Sequence, residues 1–139
     1  FVDAIAGCVM LVDAVVFDAV GVFDEAYFYG FEDLDFCLRA RRSGFGSIVV
    51  GDARARHEGS RSIGAQSADR LYYAARNHLR LAGQGDDGRS PVRFRLRQLS
   101  IVGLNAAQAF RAPVGRVPAR VAAVARGVQD YRRGRFGPA

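Results

Sequence analysis

The stretch that most constrains this sequence spans residues 21–44 and reads GVFDEAYFYGFEDLDFCLRARRSG. It places carboxylates ahead of arginines, and Gly44 follows the last arginine. Apolar residues recur at helical spacing between the two charged groups: Leu34, Cys37 and Leu38. The pattern predicts a helix over residues 32–43. Acids in its first turn, bases in its last turn and a glycine after it suit helix capping and the macrodipole, so capping alone explains the charges.

A second interpretation starts from the aromatic residues that precede and enter this helix. Gly30 frees the backbone immediately before the acids Glu32 and Asp33. Aromatic walls beside a carboxylate form a pocket in which its pKa can be tuned and a hydroxyl can be held against it. Capping and catalysis therefore remain open for this helix. The aromatic residues are Phe23, Tyr27, Phe28, Tyr29 and Phe31.

Charge divides the 139-residue chain into two contrasting halves. Residues 1–52 carry a net charge of −6 and residues 53–139 a net charge of +12. Residues 89–135 hold eleven arginines and a single acid, Asp130. An acidic half beside a basic half predicts a site for hydroxyls or cations in the first and an anionic partner for the second.

The first half of the chain alternates predicted strands and helices. Residues 4–12 form a continuous apolar run that predicts a strand covered on both faces. Asp13 is a candidate N-cap for a short helix that ends at Gly21. After the acidic helix, residues 48–50 predict a second strand. Strand, helix, helix and strand in this order predict an α/β fold.

The second half is predicted to be helical. Helices are expected from Ser67 or Asp69 to Ala82, over residues 91–112 and over residues 117–133, with a loop at residues 59–68 and a turn at residues 83–90. The predicted domains are residues 1–83 and a basic helical tail, residues 84–139. The first of these helices has an apolar stripe of Leu71, Tyr72, Ala75, Leu79 and Ala82. The second has Val92, Leu96, Leu99, Ala106 and Phe110 near one face.

Three interpretations compete for the basic tail. Its helices pack on the domain as a solvated pair, lie on an anionic membrane surface, or bind nucleic acid. Nucleic acid ranks last, because no aromatic residues interleave with the arginines as a stacking platform requires. The membrane is favoured slightly, since arginines spread around helices of wide apolar content suit a headgroup layer. No apolar run approaches the roughly 20 residues of a membrane span.

The two cysteines, Cys8 and Cys37, have no metal-binding or redox spacing and are too few for a disulfide scaffold. Buried free thiols are expected, as in a reducing cytosol. The sequence has no initiator methionine and opens on an apolar, strand-like lead-in. It is therefore expected to be a fragment.

His57 ends the extended segment that follows the acidic helix. A lone histidine is usually a surface or satisfied core residue. A short strand nevertheless allows the chain to return this residue to the edge of the sheet where Asp33 lies. A metal site or a proton relay is the alternative interpretation.

Three pieces of the sequence, in order, resemble the family 2 glycosyltransferases of the GT-A fold, especially the bacterial rhamnosyltransferase-like group. They are AGCVMLVDAVVFDAVGVFDEAYFYGFEDLDFCLRARRSGF, GDARARHEGSRS and RLYYAARN, which together span residues 6–77. The resemblance implies the acceptor-side, C-terminal part of a GT-A, Rossmann-like fold, followed by basic amphipathic helices. It also implies an inverting transfer of a sugar, with rhamnose suggested by the subgroup, from a nucleotide diphosphate sugar to a glycan or lipid-linked acceptor.

The resemblance also assigns roles to residues. It implies that Asp33 is the general base, that Glu32 orients the acceptor beside it, and that His57 completes the coordination of Mg²⁺ or Mn²⁺. Arg61 and Ser62 face the diphosphate. The acceptor wall consists of Tyr27, Phe28 and Phe31, and Arg76 and Asn77 match a recurring pair with a structural or membrane-proximal role.

The family's nucleotide-binding half, with its metal-binding DxD motif, is not found in this sequence. The letters of Asp33-Leu34-Asp35 match that motif, but they fall at the family's base position and are not interpreted as the metal motif. Little activity is expected of this chain alone. The expected setting is polysaccharide or cell-wall assembly, in the cytoplasm and peripheral on the inner face of the plasma membrane. The alternative is a non-enzymatic, basic module that binds a membrane or a protein partner.

Overall fold

The computed structural model describes residues 1–58, 63–64, 66–84 and 90–139. The chain divides into two compact units, Phe1–Gly59 and Ser60–Ala139, each described here by itself. These units are defined by internal packing. The domain boundary predicted after residue 83 marks where the family resemblance ends and is not defined by packing, so it stays a prediction.

The first unit is built from two helices joined by a tight turn. Its helix α1 begins after Asp13, whose carboxylate accepts a hydrogen bond from the Val15 amide at 3.1 Å, and ends at Gly21 with a φ of 75°. Both of the helices predicted here are confirmed. The elements are α1 (Ala14–Val20), a 3₁₀ turn (Glu25–Tyr27) and α2 (Glu32–Arg42).

The α/β, Rossmann-like prediction is wrong, because the described residues form no strand and no sheet. Residues 4–12 and 48–50, the two predicted strands, are irregular. One antiparallel bridge is present, in which the Val2 amide donates to the Ser47 carbonyl at 2.9 Å. A strand is stable only beside a neighbour that takes its backbone hydrogen bonds and covers its side chains. Neither apolar run has such a neighbour among the residues that the structure describes, and Leu11 is fully exposed.

Three phenylalanine rings hold α1 against α2. The Phe36 ring centre lies 5.2 Å from that of Phe17 and 4.8 Å from that of Phe23. These tilted contacts fall in the range where aromatic pairs attract beyond their buried area. The start of α2 is therefore fixed by packing on its inner side.

The second unit is a bundle of three helices, and each of the three is confirmed as a helix. The Ser67 hydroxyl accepts from the Arg70 amide at 3.1 Å at the start of the first helix, and the Ser90 hydroxyl accepts from the Arg93 amide at 3.4 Å before the second. In the described ranges no helix has both the length and the apolar character to cross a bilayer. The helices are α3 (Ala68–Gln84), α4 (Pro91–Ala109) and α5 (Val117–Arg132), with a 3₁₀ turn (Val114–Arg116) before α5.

Helix α3 supplies the core of this bundle. All five members of its predicted apolar stripe are buried, as Leu71, Tyr72, Ala75, Leu79 and Ala82. Small residues let α5 approach closely, because a Cβ built on Gly127 would lie 2.4 Å from the Tyr72 carbonyl oxygen and 3.3 Å from the Ala75 Cβ. Gly127 is therefore required by the packing of α3 on α5.

Arg76 is buried in the same unit and fully engaged. Its guanidinium donates to the Gly137 carbonyl at 2.7 Å and to the Tyr72 hydroxyl at 3.3 Å, and it lies 5.0 Å from the Tyr73 ring centre. The Tyr72 hydroxyl donates in turn to Asp130 of α5 at 2.9 Å. Burial and this hydrogen bond raise the pKa of Tyr72 above its usual range. These contacts give Arg76 a structural role in joining α3 to α5 and to the segment after it.

Both cysteines are free, but only Cys37 is buried. The prediction of buried thiols is correct for Cys37 and wrong for Cys8, which lies in the irregular segment before α1. Cys8 is exposed because the strand expected around it does not form.

Substitution of Gly127 tests the close contact between α3 and α5. We expect Gly127→Ala to lower the free energy of unfolding by about 1–3 kcal/mol, because its Cβ meets a backbone carbonyl that a side-chain rotation cannot move. Gly103→Ala is the matched control, since nothing lies within 4 Å of a Cβ at this position of α4. It should raise the free energy of unfolding by about 0.5–1 kcal/mol. Urea denaturation followed by circular dichroism measures both, and equal effects would contradict the packing described.

His78 predicts a pH dependence of stability. Burial, and secondly the positive charge of Arg97, lower the pKa of His78 below its ordinary value of 6.5. The unfolded chain therefore binds a proton more readily than the folded chain as the pH falls below about 6.5. The free energy of unfolding should decrease on acidification through this range, and His78→Gln should remove that part of the decrease. A denaturation series against pH measures this, and an unchanged slope in His78→Gln would contradict the role given to His78.

Candidate functional site

A strained turn leads into α2. Phe28 has a φ of 57° and Phe31 a φ of 78°, and Gly30 between them has a φ of 74°. A left-handed backbone costs a residue other than glycine roughly 1–2 kcal/mol, so the surrounding structure must hold both phenylalanines in place. Such strain is concentrated at functional sites. The turn ends directly at the predicted catalytic pair, Glu32 and Asp33.

Asp35 attaches this turn to α2 through hydrogen bonds of its buried carboxylate. Its carboxylate is buried and accepts from Arg39 Nε at 2.8 Å and from the Tyr27 hydroxyl at 3.4 Å. The Arg39 guanidinium also donates to the Val20 carbonyl and, at 2.8 Å, to the Val22 carbonyl. The pair therefore ties α2 to the end of α1 and to the turn, and Asp35 has a structural role.

Asp33 lies one residue into α2 and is only partly buried. One carboxylate oxygen accepts from the Gly7 amide at 2.8 Å, and the other accepts from the Leu34 amide at 2.7 Å. A Cβ on Gly7 would lie 3.2 Å from the Asp33 Cβ, so the irregular segment before α1 passes directly beside this side chain. Backbone amides thus fix the orientation of the Asp33 carboxylate.

Glu32 presents an unusual polar atom. Its Oε2 is buried and has no hydrogen-bond partner among the described residues. A buried oxygen without a donor costs about 1–3 kcal/mol, and most such atoms in native proteins have a partner. A carboxylate oxygen accepts hydrogen bonds and donates none, so only a donor such as a hydroxyl or an amide can satisfy this atom.

The aromatic residues of the predicted acceptor wall differ in exposure. Tyr27 is completely buried and bonded to Asp35, Phe28 is 55% exposed, and Phe31 is half-buried. The turn therefore leaves Phe28 and Phe31 able to contact a molecule in solution, while Tyr27 supports them from inside.

The residues predicted to bind a metal ion and a diphosphate all come after residue 52 in the sequence. His57 is exposed in an irregular stretch after residue 52, and Arg61 and Ser62 lie outside the described residues. Within the ranges the structure describes, no group of three or more histidine, cysteine or acidic side chains is arranged to hold a metal ion. The described residues alone thus do not form a fitting metal site, and no step is assigned to a metal below.

The sequence interpretation missed two contributors to this region. The role of the Gly7 amide could not be inferred from local sequence, because it depends on a contact with Asp33 across 26 positions of the chain. The ion pair of Asp35 with Arg39 did carry a signal, since acid and base four residues apart face each other on a helix. This spacing distinguishes Asp35 from Asp33, because Asp33 has Cys37, and not an arginine, four residues later.

The different roles of the two aspartates predict different stabilities. We expect Asp35→Ala to lower the free energy of unfolding by about 2–3 kcal/mol, because it leaves a partly buried guanidinium without its carboxylate. Asp33→Asn should change it by less than about 1 kcal/mol, since the amide oxygen still accepts from the Gly7 amide. Thermal denaturation of both variants gives the comparison, and a larger loss for Asp33→Asn would contradict this assignment of roles.

A region of 95 residues is 32% identical to N-acetylglucosaminyl-diphospho-decaprenol L-rhamnosyltransferase from two strains of Mycobacterium tuberculosis. It includes 67% of this chain and 31% of each relative, so the chain spans about a third of the length of the curated relatives it matches. No family model and no solved structure matches the chain. The chain carries a glycosyltransferase-like region.

Proposed function

We propose that this chain is the acceptor-side part of an inverting family 2 glycosyltransferase in which Asp33 is the general base and Glu32 orients the acceptor. The observation that carries this proposal is the pair of adjacent carboxylates at the start of α2. One is held in place by the Gly7 amide at 2.8 Å, and the other has a buried oxygen without a partner in the described chain. The glycosyltransferase-like similarity supports the same reaction class.

The chemistry requires both carboxylates. A second hydroxyl of the acceptor donates a hydrogen bond to Glu32, and this orients the reacting hydroxyl towards Asp33. The Asp33 carboxylate takes the proton as the oxygen attacks the anomeric carbon, a new carbon–oxygen bond forms, and the bond to the nucleotide diphosphate breaks with its electron pair. Each carboxylate oxygen has more than one lone pair, so the bonds from Gly7 and Leu34 leave Asp33 able to accept this proton.

The strained turn supports acceptor binding in this proposal. Phe28 and Phe31 are partly exposed and lie close in sequence to the carboxylates, and they are proposed to offer apolar faces to the acceptor, as binding pockets combine apolar walls with a few polar groups. Tyr27 keeps the turn in position through its hydroxyl bond to Asp35. Rigid support matters, because misplacement of a reacting group by about 1 Å can cost about 100-fold in rate.

The donor side of the reaction extends the proposal further. A nucleotide diphosphate sugar, with rhamnose as the sugar, is proposed by analogy with the activity for which the mycobacterial relatives are named. Arg61 and Ser62 are proposed to contact the departing diphosphate, where a guanidinium stabilises negative charge. His57 is proposed as one ligand of Mg²⁺ or Mn²⁺. Isothermal titration of Mn²⁺ into the intact chain and into His57→Gln tests the last assignment independently of activity.

The acceptor and the setting are proposed on the same analogy. The name of the relatives specifies a sugar linked through diphosphate to a polyprenol, so a lipid-linked glycan is the acceptor class proposed here. Such an acceptor places the reaction in polysaccharide or cell-wall assembly, on the inner face of the plasma membrane. Arginine-rich helices after residue 90 are suited to an anionic surface.

The second candidate function is a non-enzymatic basic module that binds a membrane. It is favoured by one observation, the exposed apolar face of α4, which has no role in catalysis. In this case the acids of α2 only cap a helix and complement its dipole. Loss of transfer activity on substitution of Asp33 distinguishes the two functions.

The test of catalysis uses this chain joined at its N-terminal side to the nucleotide-binding half of a family 2 enzyme. We expect Asp33→Asn to lower kcat by at least about 100-fold, because the general base is lost while the shape is kept. Glu32→Gln should raise the KM for the acceptor more than it lowers kcat. Release of the nucleoside diphosphate measures both effects.

Asp18→Asn is the matched control for this assay. It makes the same chemical change at an exposed carboxylate of α1 in the same unit, and activity should be unaffected. Retention of full activity by Asp33→Asn, in a protein that still binds the donor, would remove Asp33 as the base.

A further inference from the structure

Helix α4 buries one face in the bundle and leaves an apolar face exposed. Ile101, Asn105 and Ala109 lie four residues apart along the helix and are all buried against the rest of the unit. The opposite side, here called the outer stripe, has a spacing of four, three, four and seven residues, so it also follows one line along the helix. The outer stripe consists of Val92, Leu96, Leu99, Gly103 and Phe110.

The outer stripe is strongly exposed. Val92 is 65% exposed, Leu96 57%, Leu99 67% and Phe110 66%, and Val114, which follows in the 3₁₀ turn, is 87% exposed. Single exposed apolar residues are common on soluble proteins, whereas a continuous line of them marks an interaction surface. The stripe runs along most of a 19-residue helix. At 1.5 Å per residue, such a helix is about 28 Å long.

Arginines surround the outer stripe. Arg93, Arg95 and Arg97 are exposed on the first turns of α4, and Arg111 and Arg116 are exposed just beyond its end. The sequence from Ser90 to Gln129 contains no acidic residue. The surface therefore combines an apolar line with a positive border.

This charge pattern decides between occupants. A second copy of the same face would bring arginines against arginines, with no carboxylate between residues 90 and 129 to pair with them. A bilayer with anionic headgroups supplies apolar depth for the stripe and negative charge for its border at the same time. The long arginine stems also allow their charges to reach phosphates while their carbon atoms lie on apolar groups.

A groove beside the outer stripe adds a place for a headgroup. It lies between α4 and α5, has a volume of ≈ 460 Å³ and shares Leu99 with the stripe. Arg95 and Arg132 line it together with apolar side chains, among them Val102 and Val128. A phosphate of a lipid seated at the stripe would find two guanidinium groups here.

We propose that α4 lies in the plane of an anionic membrane, with its outer stripe inserted at the boundary of headgroups and acyl chains and its arginines on lipid phosphates. This inference deepens the membrane setting of the proposed function by naming the contact surface. It rests on the geometry of α4 and does not depend on glycosyl transfer.

The experiment measures co-sedimentation of the 139-residue chain with lipid vesicles. Vesicles of phosphatidylcholine mixed with phosphatidylglycerol should bind the chain, vesicles of phosphatidylcholine alone should bind it at least about tenfold more weakly, and added salt should reduce the difference. A double variant, Leu96→Ser with Leu99→Ser, should weaken binding to the anionic vesicles by at least about tenfold. Its matched control is Val49→Ser with Val50→Ser, which removes two exposed apolar residues from the other unit and should bind normally.

A second pair of variants tests the charges. Arg93→Gln, Arg95→Gln and Arg97→Gln together should weaken binding to anionic vesicles by about fivefold for each charge removed. Arg54→Gln with Arg56→Gln, at exposed arginines of the first unit, is the control. Circular dichroism of every variant confirms that the helices are kept, since all the substituted side chains are exposed.

Three outcomes overturn the proposal: equal binding to both vesicle types, no binding to either, or unchanged binding by the Leu96 and Leu99 variant. Self-association in sedimentation velocity that this variant abolishes, without any vesicle binding, would assign the stripe to a second copy instead. Asp33→Asn should bind vesicles as the unchanged chain does. Failure of the membrane proposal is therefore measured separately from failure of the catalytic one.

Discussion

The ion pair of the buried Asp35 with the partly buried Arg39 is the interaction on which the first unit depends. It joins α2 to the end of α1 through the Val20 and Val22 carbonyls, and it receives the Tyr27 hydroxyl from the strained turn. An ion pair removed from water needs further hydrogen bonds to offset its desolvation, and Arg39 supplies two of them by donating to the Val20 and Val22 carbonyls. Its consequence is a fixed direction for the first turn of α2, where the two adjacent carboxylates begin.

The second unit follows a different principle. Close packing of α3 on α5 through Gly127 and the engaged guanidinium of Arg76 leaves α4 as the helix with fewer buried residues. One line of α4 completes the core, and the other line has no partner in the described chain. The two units thus offer two different kinds of surface, a carboxylate site in the first and an apolar, arginine-bordered face in the second.

Local signals were sufficient for the helices. Helix ends depend on interactions between neighbouring residues. Examples are the caps at Asp13, Ser67 and Ser90 and the glycines that follow helices. The two strands were predicted wrongly for the opposite reason, since a strand is defined by a partner that local composition does not specify. The same limit applies to α4, where periodicity found one apolar line but gave no indication of which side packs. In the site, Asp33 accepts from the amide of the distant Gly7, a contact that local sequence patterns do not specify.

By itself the sequence determined the helices, the separation of acidic and basic halves, and the placement of Glu32 and Asp33 at a helix start. The charge separation is a property of composition alone. The helices and their starts depend on residues within a few positions of one another, because helical period and helix capping are short-range. Only the tertiary structure decided that Asp35 is buried while Asp33 faces the Gly7 amide, and that the outer stripe of α4 is left exposed. Burial depends on which distant segments meet, and that is a property of the packed chain.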